Sequence, residues 1–256
     1  MCKQTILFLC AAVLLSSCQK ALDYYNVKEV EPPPSCRVET IKGFSADGTL
    51  FHEMEFLYSD NGQLDGVSDW YVEADPEGLF TDFWEYNYDE QGRIIYTGPY
   101  STPSPFAEIY FYEGNSRLPA GDTLLRLGFI VAEKFAYDSR GRIVEIEQKF
   151  ITWDEEDNMV VEEPTYLRYY YDLRGNRQES PTNEGYAGLI TYSDKPSLYS
   201  LSPVFQIQYK NWSKNSTLSV ESFNEQELPT QLKLQQRNFQ PFISMGGGYK
   251  LTYTCE

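Results

Sequence analysis

A hairpin-turn signature recurs along this chain and constrains its fold more than any other feature. Tyr88-Asp89-Glu90-Gln91-Gly92-Arg93-Ile94, Tyr137-Asp138-Ser139-Arg140-Gly141-Arg142-Ile143 and Tyr171-Asp172-Leu173-Arg174-Gly175-Asn176 share one grammar: Tyr, Asp, two residues, then Gly. Tyr58-Ser59-Asp60-Asn61-Gly62 is a variant with Ser between Tyr and Asp, which predicts a shorter turn. A degenerate copy sits at Phe223-Asn224-Glu225-Gln226-Glu227-Leu228, with Glu where Gly belongs. An Asp side chain accepts hydrogen bonds from the backbone two residues on, and Gly supplies the positive φ that a β-carbon resists. Together they predict a type I turn followed by a left-handed residue, one of the common hairpin connections.

The flanks alternate as strands do. After the third turn, Val144, Ile146, Gln148 and Phe150 share one face, and Glu145, Glu147 and Lys149 the other. Phe83, Trp84, Tyr86 and Tyr88 lead into the second turn, and Tyr169, Tyr170 and Tyr171 into the fourth. One buried and one charged face indicates antiparallel pairing. The best helical candidate is Leu198 to Lys210, interrupted by Pro203. Turn glycines at 62, 92, 141 and 175 are too unevenly spaced for a solenoid. The fold predicted is therefore all-β: a large antiparallel meander of successive hairpins, curled or partly closed to limit its open edges. Charged outward faces do not suit the continuous apolar band of a membrane-spanning barrel, so the domain reads as soluble.

The amino terminus carries an address. Lys3 precedes an apolar run, Thr5 to Leu15, too short for the roughly 20 residues that a membrane-crossing helix needs. Such a run behind a basic residue reads as a signal-peptide core. Leu15-Ser16-Ser17-Cys18 resembles the lipobox of bacterial lipoproteins, which implies removal of residues 1–17 and lipidation of Cys18. Two or more acyl chains anchor a protein stably, where one holds it only marginally. Gln19-Lys20 resembles the start of the export tag of Bacteroides-type surface lipoproteins, although Ala21 and Leu22 precede the first acid, Asp23. The expected location is the outer membrane, with the surface-exposed and periplasm-facing orientations both open. Residues 18–35, which include Pro32-Pro33-Pro34, read as a semi-rigid tether. Residues 36–256 are then one β domain, large enough for a single core.

The mature chain carries 20 basic residues against 38 acidic ones, a net of −18. Nucleic acids and anionic headgroups need a basic footprint, so nucleic-acid binding is excluded. Cys2 and Cys10 leave with the signal and Cys18 takes lipid, so Cys36 and Cys255 remain, one at each end of the domain. An oxidising compartment permits a bridge between them. Two buried thiols are the equal alternative.

Catalytic patterns are scarce. His52 is the single histidine, so a Ser-His-Asp or Cys-His arrangement would have to use it, and no Gly-x-Ser-x-Gly elbow is present. Its strand context, Phe51-His52-Glu53-Met54-Glu55, predicts a solvent-side position. One imidazole does not suggest a zinc site, and no cofactor signature is found: Gly246-Gly247-Gly248 lacks the Lys-Ser/Thr and helix of a phosphate loop. Asp154-Glu155-Glu156-Asp157-Asn158 lacks the ligand spacing of a calcium loop and reads as a hairpin tip. Trp70, Tyr71 and Trp84 flank a connection containing Pro76 and Gly78 and could form a platform for stacking on sugar rings, with core packing as the plainer reading. A membrane-tethered, non-catalytic binding or structural protein, with glycan or host protein as ligand, is the functional expectation. The alternative is a glycan hydrolase built on two carboxylates.

The Tyr-Asp turns at 88–93, 137–142 and 171–176 resemble the YD repeats of Rhs-type cell-surface proteins. With the lipobox, the stretches Tyr192 to Pro196, Asn211 to Asn215 and Leu251 to Cys255 look like a family of Bacteroides-type lipoproteins of unknown function. That resemblance implies a large antiparallel sheet of porin-like shape and brings no catalytic residues.

Overall fold

The computed structural model describes residues 35–71, 82–100, 106–183, 189–216, 219–233 and 248–255. Cys18, the stretch read as a signal and nearly all of the stretch read as a tether lie outside them.

The chain forms antiparallel strands in succession: β1 (Cys36–Phe44), β2 (Leu50–Tyr58), β3 (Leu64–Tyr71), β4 (Asp82–Tyr88), β5 (Ile94–Pro99), β6 (Glu108–Phe111), β7 (Gly121–Arg126), β8 (Phe129–Tyr137) and β9 (Ile143–Trp153). β10 (Met159–Val161), β11 (Thr165–Tyr171) and β12 (Arg177–Glu179) follow. A 3₁₀ turn (Leu198–Leu201) and a short helix α1 (Pro203–Gln208) precede β13 (Ser219–Phe223), β14 (Pro229–Lys233) and β15 (Gly248–Cys255). The sheet order is β12-β11-β9-β8-β7-β6-β5-β4-β3-β2-β1-β15-β14-β13, with β10 also paired to β9. This is the expected all-β meander, left open, because β12 and β13 end the order.

The hairpin turns share one five-residue unit. In 89–93, 138–142 and 172–176 the first residue's N–H bonds the fifth residue's carbonyl, and its own carbonyl accepts from the glycine N–H. The Asp89 side chain also accepts from the N–H groups of Gln91 and Arg93, both at 2.9 Å. The turn at 59–63 makes the same backbone bonds, so it is not shorter: Ser59 stands where Asp stands elsewhere. Ser45–Thr49 and Asp154–Asn158 are two further copies. The degenerate copy at 224–228 also closes, with Glu227 itself held at a φ of 60°. Pairing registers slip by a residue beside the turns, at Leu57/Tyr58, Asn87/Tyr88 and Ala136/Tyr137. These slips are the bulges that follow a type I turn with a left-handed residue.

The bulge alters one predicted face. Ile143 is buried beside Ile146, while Val144 leaves the inward row that the alternation assigned to it.

The inward face carries Val38, Ile41, Met54, Phe56, Leu64, Val67 and Tyr86. Against it pack Leu198, Tyr199, Phe205 and Ile207 from the helical segment, which plugs the sheet's inner face. Pro203 does not break this segment but starts it. It occupies the first turn of α1, where its missing N–H costs no bond, and Ser202 caps Val204 N–H.

Candidate functional site

Alternation places Trp70 and Trp84 on opposite faces of the sheet. Val67 pairs with Trp84 and is buried, so Trp84 faces inward and packs on the core. Trp70 pairs with Glu53, on the outward row shared with Ser68 and Glu55. Tyr71 occupies the register position opposite His52, and its side chain lies outside the described residues. The three aromatic residues do not make one platform.

Trp70 instead has aromatic neighbours on its own face. Phe83 pairs with Ser68, two residues along from Trp70, and is half-buried on the outer side of β4. Tyr100, just past β5, donates its N–H to the Phe83 carbonyl and sets its ring edge-on to Phe83 at 6.1 Å. Tyr100 is 71% exposed. Trp70, Phe83 and Tyr100 therefore make an outward strip across neighbouring strands, bordered by Glu53, Glu55 and Glu85. Phe83 can lie flat there because Gly66 has no β-carbon: one would come within 2.3 Å of the ring. The sequence signal for Tyr100 was only the end of a strand. Its membership of the strip depends on how β5 pairs with β4.

Cys36 and Cys255 are joined by a disulfide and are directly opposed across β1 and β15. His52 is not on the solvent side. It is 1% exposed, on the inward row with Met54 and Phe56, and its Nε2 lies 2.5 Å from Asp69 Oδ1. Glu53 and Glu55, the charged neighbours in its segment, belong to the opposite face of the same strand. The acidic run at 154–158 is an exposed turn, in which hydrogen bonds from Asn158 hold the Asp154 carboxyl below its ordinary range. Gly248 opens β15; Gly246 and Gly247 lie outside the described residues.

A second cluster, which sequence reasoning missed, is buried beneath β6, β7 and β8. Asp122 and Glu133 are opposed across β7 and β8, and Tyr110 is opposed to Asp122 from β6. Like charges facing each other in a sheet are destabilising unless a cation intervenes. Lys210, just after α1, supplies it: Nζ lies 2.9 Å from both Asp122 Oδ2 and Glu133 Oε2, and 3.8 Å from Glu108 Oε1. Gln148 donates to Glu133 at 2.5 Å, and the Tyr110 hydroxyl donates to Glu108. Lys210 itself takes a φ of 50° to reach this position.

Burial pushes the Asp122 carboxyl up to about 8; Lys210 opposes that rise, while Glu133 and Glu108 add to it. Burial also opposes charge on Lys210, yet the three carboxylates outweigh it and hold the ammonium above the ordinary lysine range. Perturbed groups of this kind often mark active sites. Here Asp122 is 0% and Glu133 3% exposed, so neither presents an oxygen to a substrate. What the arrangement does chemically is neutralise an inward acid pair and fasten the helical segment to the sheet. The three acids were hard to single out among 38, and Lys210 meets them only across a large sequence distance.

Among the described residues no group of His, Cys, Asp and Glu side chains is arranged to hold a metal ion, and no helix is long and apolar enough to cross a membrane.

No protein-family model and no curated protein matches the sequence. Among solved structures, a porin-like protein from Bacteroides uniformis is similar to 88% of this chain and 98% of its own, at 12% identity and a TM-score of 0.44. The TcdB2-TccC3 crystal structures are also similar. One of them matches 77% of this chain at 14% identity and a TM-score of 0.30. The chain spans about a tenth of the length of that match, 10% of it.

Proposed function

We propose that the protein is a lipid-anchored, non-catalytic binding protein of the outer membrane. In this reading Cys18 carries the lipid, the proline-containing tether lifts the domain off the bilayer, and the ligand is a glycan held on the outer strip of Trp70, Phe83 and Tyr100. The strip carries the proposal. Its rings stand on a broad sheet, Tyr100 is largely exposed, and Glu53, Glu55 and Glu85 border it with hydrogen-bond acceptors. Aromatic rings offer an apolar surface at low entropic cost, and flanking polar groups fix the orientation of what stacks there. The mature chain's net charge of −18 favours neutral sugars over sulfated or uronic ones.

The hydrolase alternative draws no support from the Asp122–Glu133 pair, because both acids are buried and share Lys210. Screening the mature chain on a glycan array tests the proposal. Neutral glycans should bind, and Tyr100→Ala and Trp70→Ala should each weaken binding about tenfold or more while leaving the unfolding temperature within a few degrees. Absence of binding to every glycan, or binding indifferent to both substitutions, overturns it.

A further inference from the structure

The hairpin of β9 and β10 ends in an apolar edge that no other strand among the described residues covers. Met159, Val160 and Val161 are 65%, 42% and 51% exposed, and Trp153, opposite Met159, is 47% exposed. Among the described residues β10 pairs with β9 alone. The ladder shows which backbone groups face outward. Asp154 N–H bonds Asn158 carbonyl, and Glu162 N–H bonds Phe150 carbonyl. Bonded and non-bonded pairs alternate along an antiparallel ladder. Val160 therefore points its N–H and C=O at β9, and Met159 and Val161 point theirs at the open side. At the sheet's end strand β12, by contrast, the Gln178 amide clasps the backbone of Ile190 through both its oxygen and its nitrogen.

We infer that the β10 edge accepts an extended segment of a partner protein as an added strand, with apolar residues at alternate positions and Lys or Arg on the flanks. Strand addition takes its affinity from main-chain hydrogen bonds and its specificity from the side chains beside them. The basic flanks follow from charge. From residue 150 to residue 167 there are six acids, Asp154 to Asp157 with Glu162 and Glu163, and no Lys or Arg. A second copy of this chain would bring those carboxylates against their own counterparts, which is how natural edges avoid self-pairing. Glu163-Pro164 closes the site on one side. Val161 pairs with Ile151 and Thr165 with Gln148, so an extra residue bulges there and the open edge is only about three residues long.

The test uses the mature chain and two synthetic nine-residue peptides of alternating Val and Thr, one flanked by paired lysines and one by paired glutamates, read by fluorescence polarisation. The lysine-flanked peptide should bind at least tenfold more tightly at low salt, with the gap shrinking as salt rises. Val161→Pro removes an outward N–H while sparing the bonds to β9, and should cost tenfold or more with the unfolding temperature retained. Replacing Glu155, Glu156, Glu162 and Glu163 by lysine should reverse the preference and keeps the idea testable if the proline variant misfolds. Equal binding of the two peptides, no binding of either at millimolar concentration, or undiminished binding by a folded Val161→Pro protein overturns the inference. So does self-association of the unmodified chain that Val161→Pro abolishes.

Discussion

Asp122 is the residue at which burial and charge compete most directly. Its folded-state pKa, about 8, lies above the value near 3.9 of an unfolded aspartate. Folding therefore takes up a proton between these values. The contribution to stability is complete below about pH 4 and is lost as pH rises through about 8. Asp122→Asn should flatten that decline, and urea unfolding at pH 5 and pH 8 measures it. An unchanged slope in the Asn variant would assign the pH dependence to other groups. Lys210 contributes with the same sign higher up, since its raised pKa is lost as stability only in strongly alkaline solution. Glu227 makes a different residue-scale point. The backbone accepts a non-glycine residue at positive φ here, at a cost of about 1–2 kcal/mol, because the remaining turn bonds are intact.

At the scale of elements, successive hairpins are interlocked by the same residues that form the turns. Arg142 donates Nε and Nη2 to Asp138 within its own turn, and its guanidinium lies 3.9 Å from the ring centroid of Tyr171 in a later hairpin. Arg93 repeats this with Asp89 and Tyr112, the ring centroid at 4.4 Å. The tyrosine hydroxyls reach back across the sheet: Tyr88 to the Leu64 carbonyl, Tyr112 to Ile94 and Tyr171 to Ile143. Each acceptor is the first residue after an earlier turn. The Tyr-Asp-x-x-Gly-Arg pattern thus serves as a fastening between neighbours as well as a turn. A double-mutant cycle on Arg142→Ala and Tyr171→Ala should give a coupling of about 0.5–2 kcal/mol, the range for a half-buried cation–π pair. Additive losses would mean that the stacking contributes nothing beyond the separate packing of each side chain.

For the whole molecule, the two ends of the domain meet in mid-sheet. β1 lies between β2 and β15, so the first strand of the chain's sheet is not an edge strand. The Cys36–Cys255 bridge closes a sequence separation of 219 residues at this seam. In the chain-entropy account a loop of that size is worth up to ~5 kcal/mol, realised mainly by restricting the unfolded chain. Reduction and alkylation should lower the denaturant midpoint without altering the native circular dichroism at neutral pH. Intact mass should rise only after reduction. A midpoint indifferent to reduction would place the stabilisation of the seam in its hydrogen bonds and packing alone.

Turn chemistry was legible in the sequence because each turn is complete within five residues: the side-chain acceptor, the carbonyl it supplements and the left-handed residue are chain neighbours. Period-two alternation revealed strands for the same local reason, and together they determined an antiparallel meander. Alternation only separates two faces, however. It does not say which is buried, and one bulge after a turn moves a residue such as Ile143 onto the inward row. The burial of His52, the separation of Trp70 from Trp84 and the grouping of Trp70 with Phe83 and Tyr100 were decided by strand pairing. Lys210 reaches Asp122 and Glu133, and β15 reaches β1, across long stretches of sequence. Such contacts form only when the sheet and the helical segment exclude water together, and no local pattern encodes that shared burial.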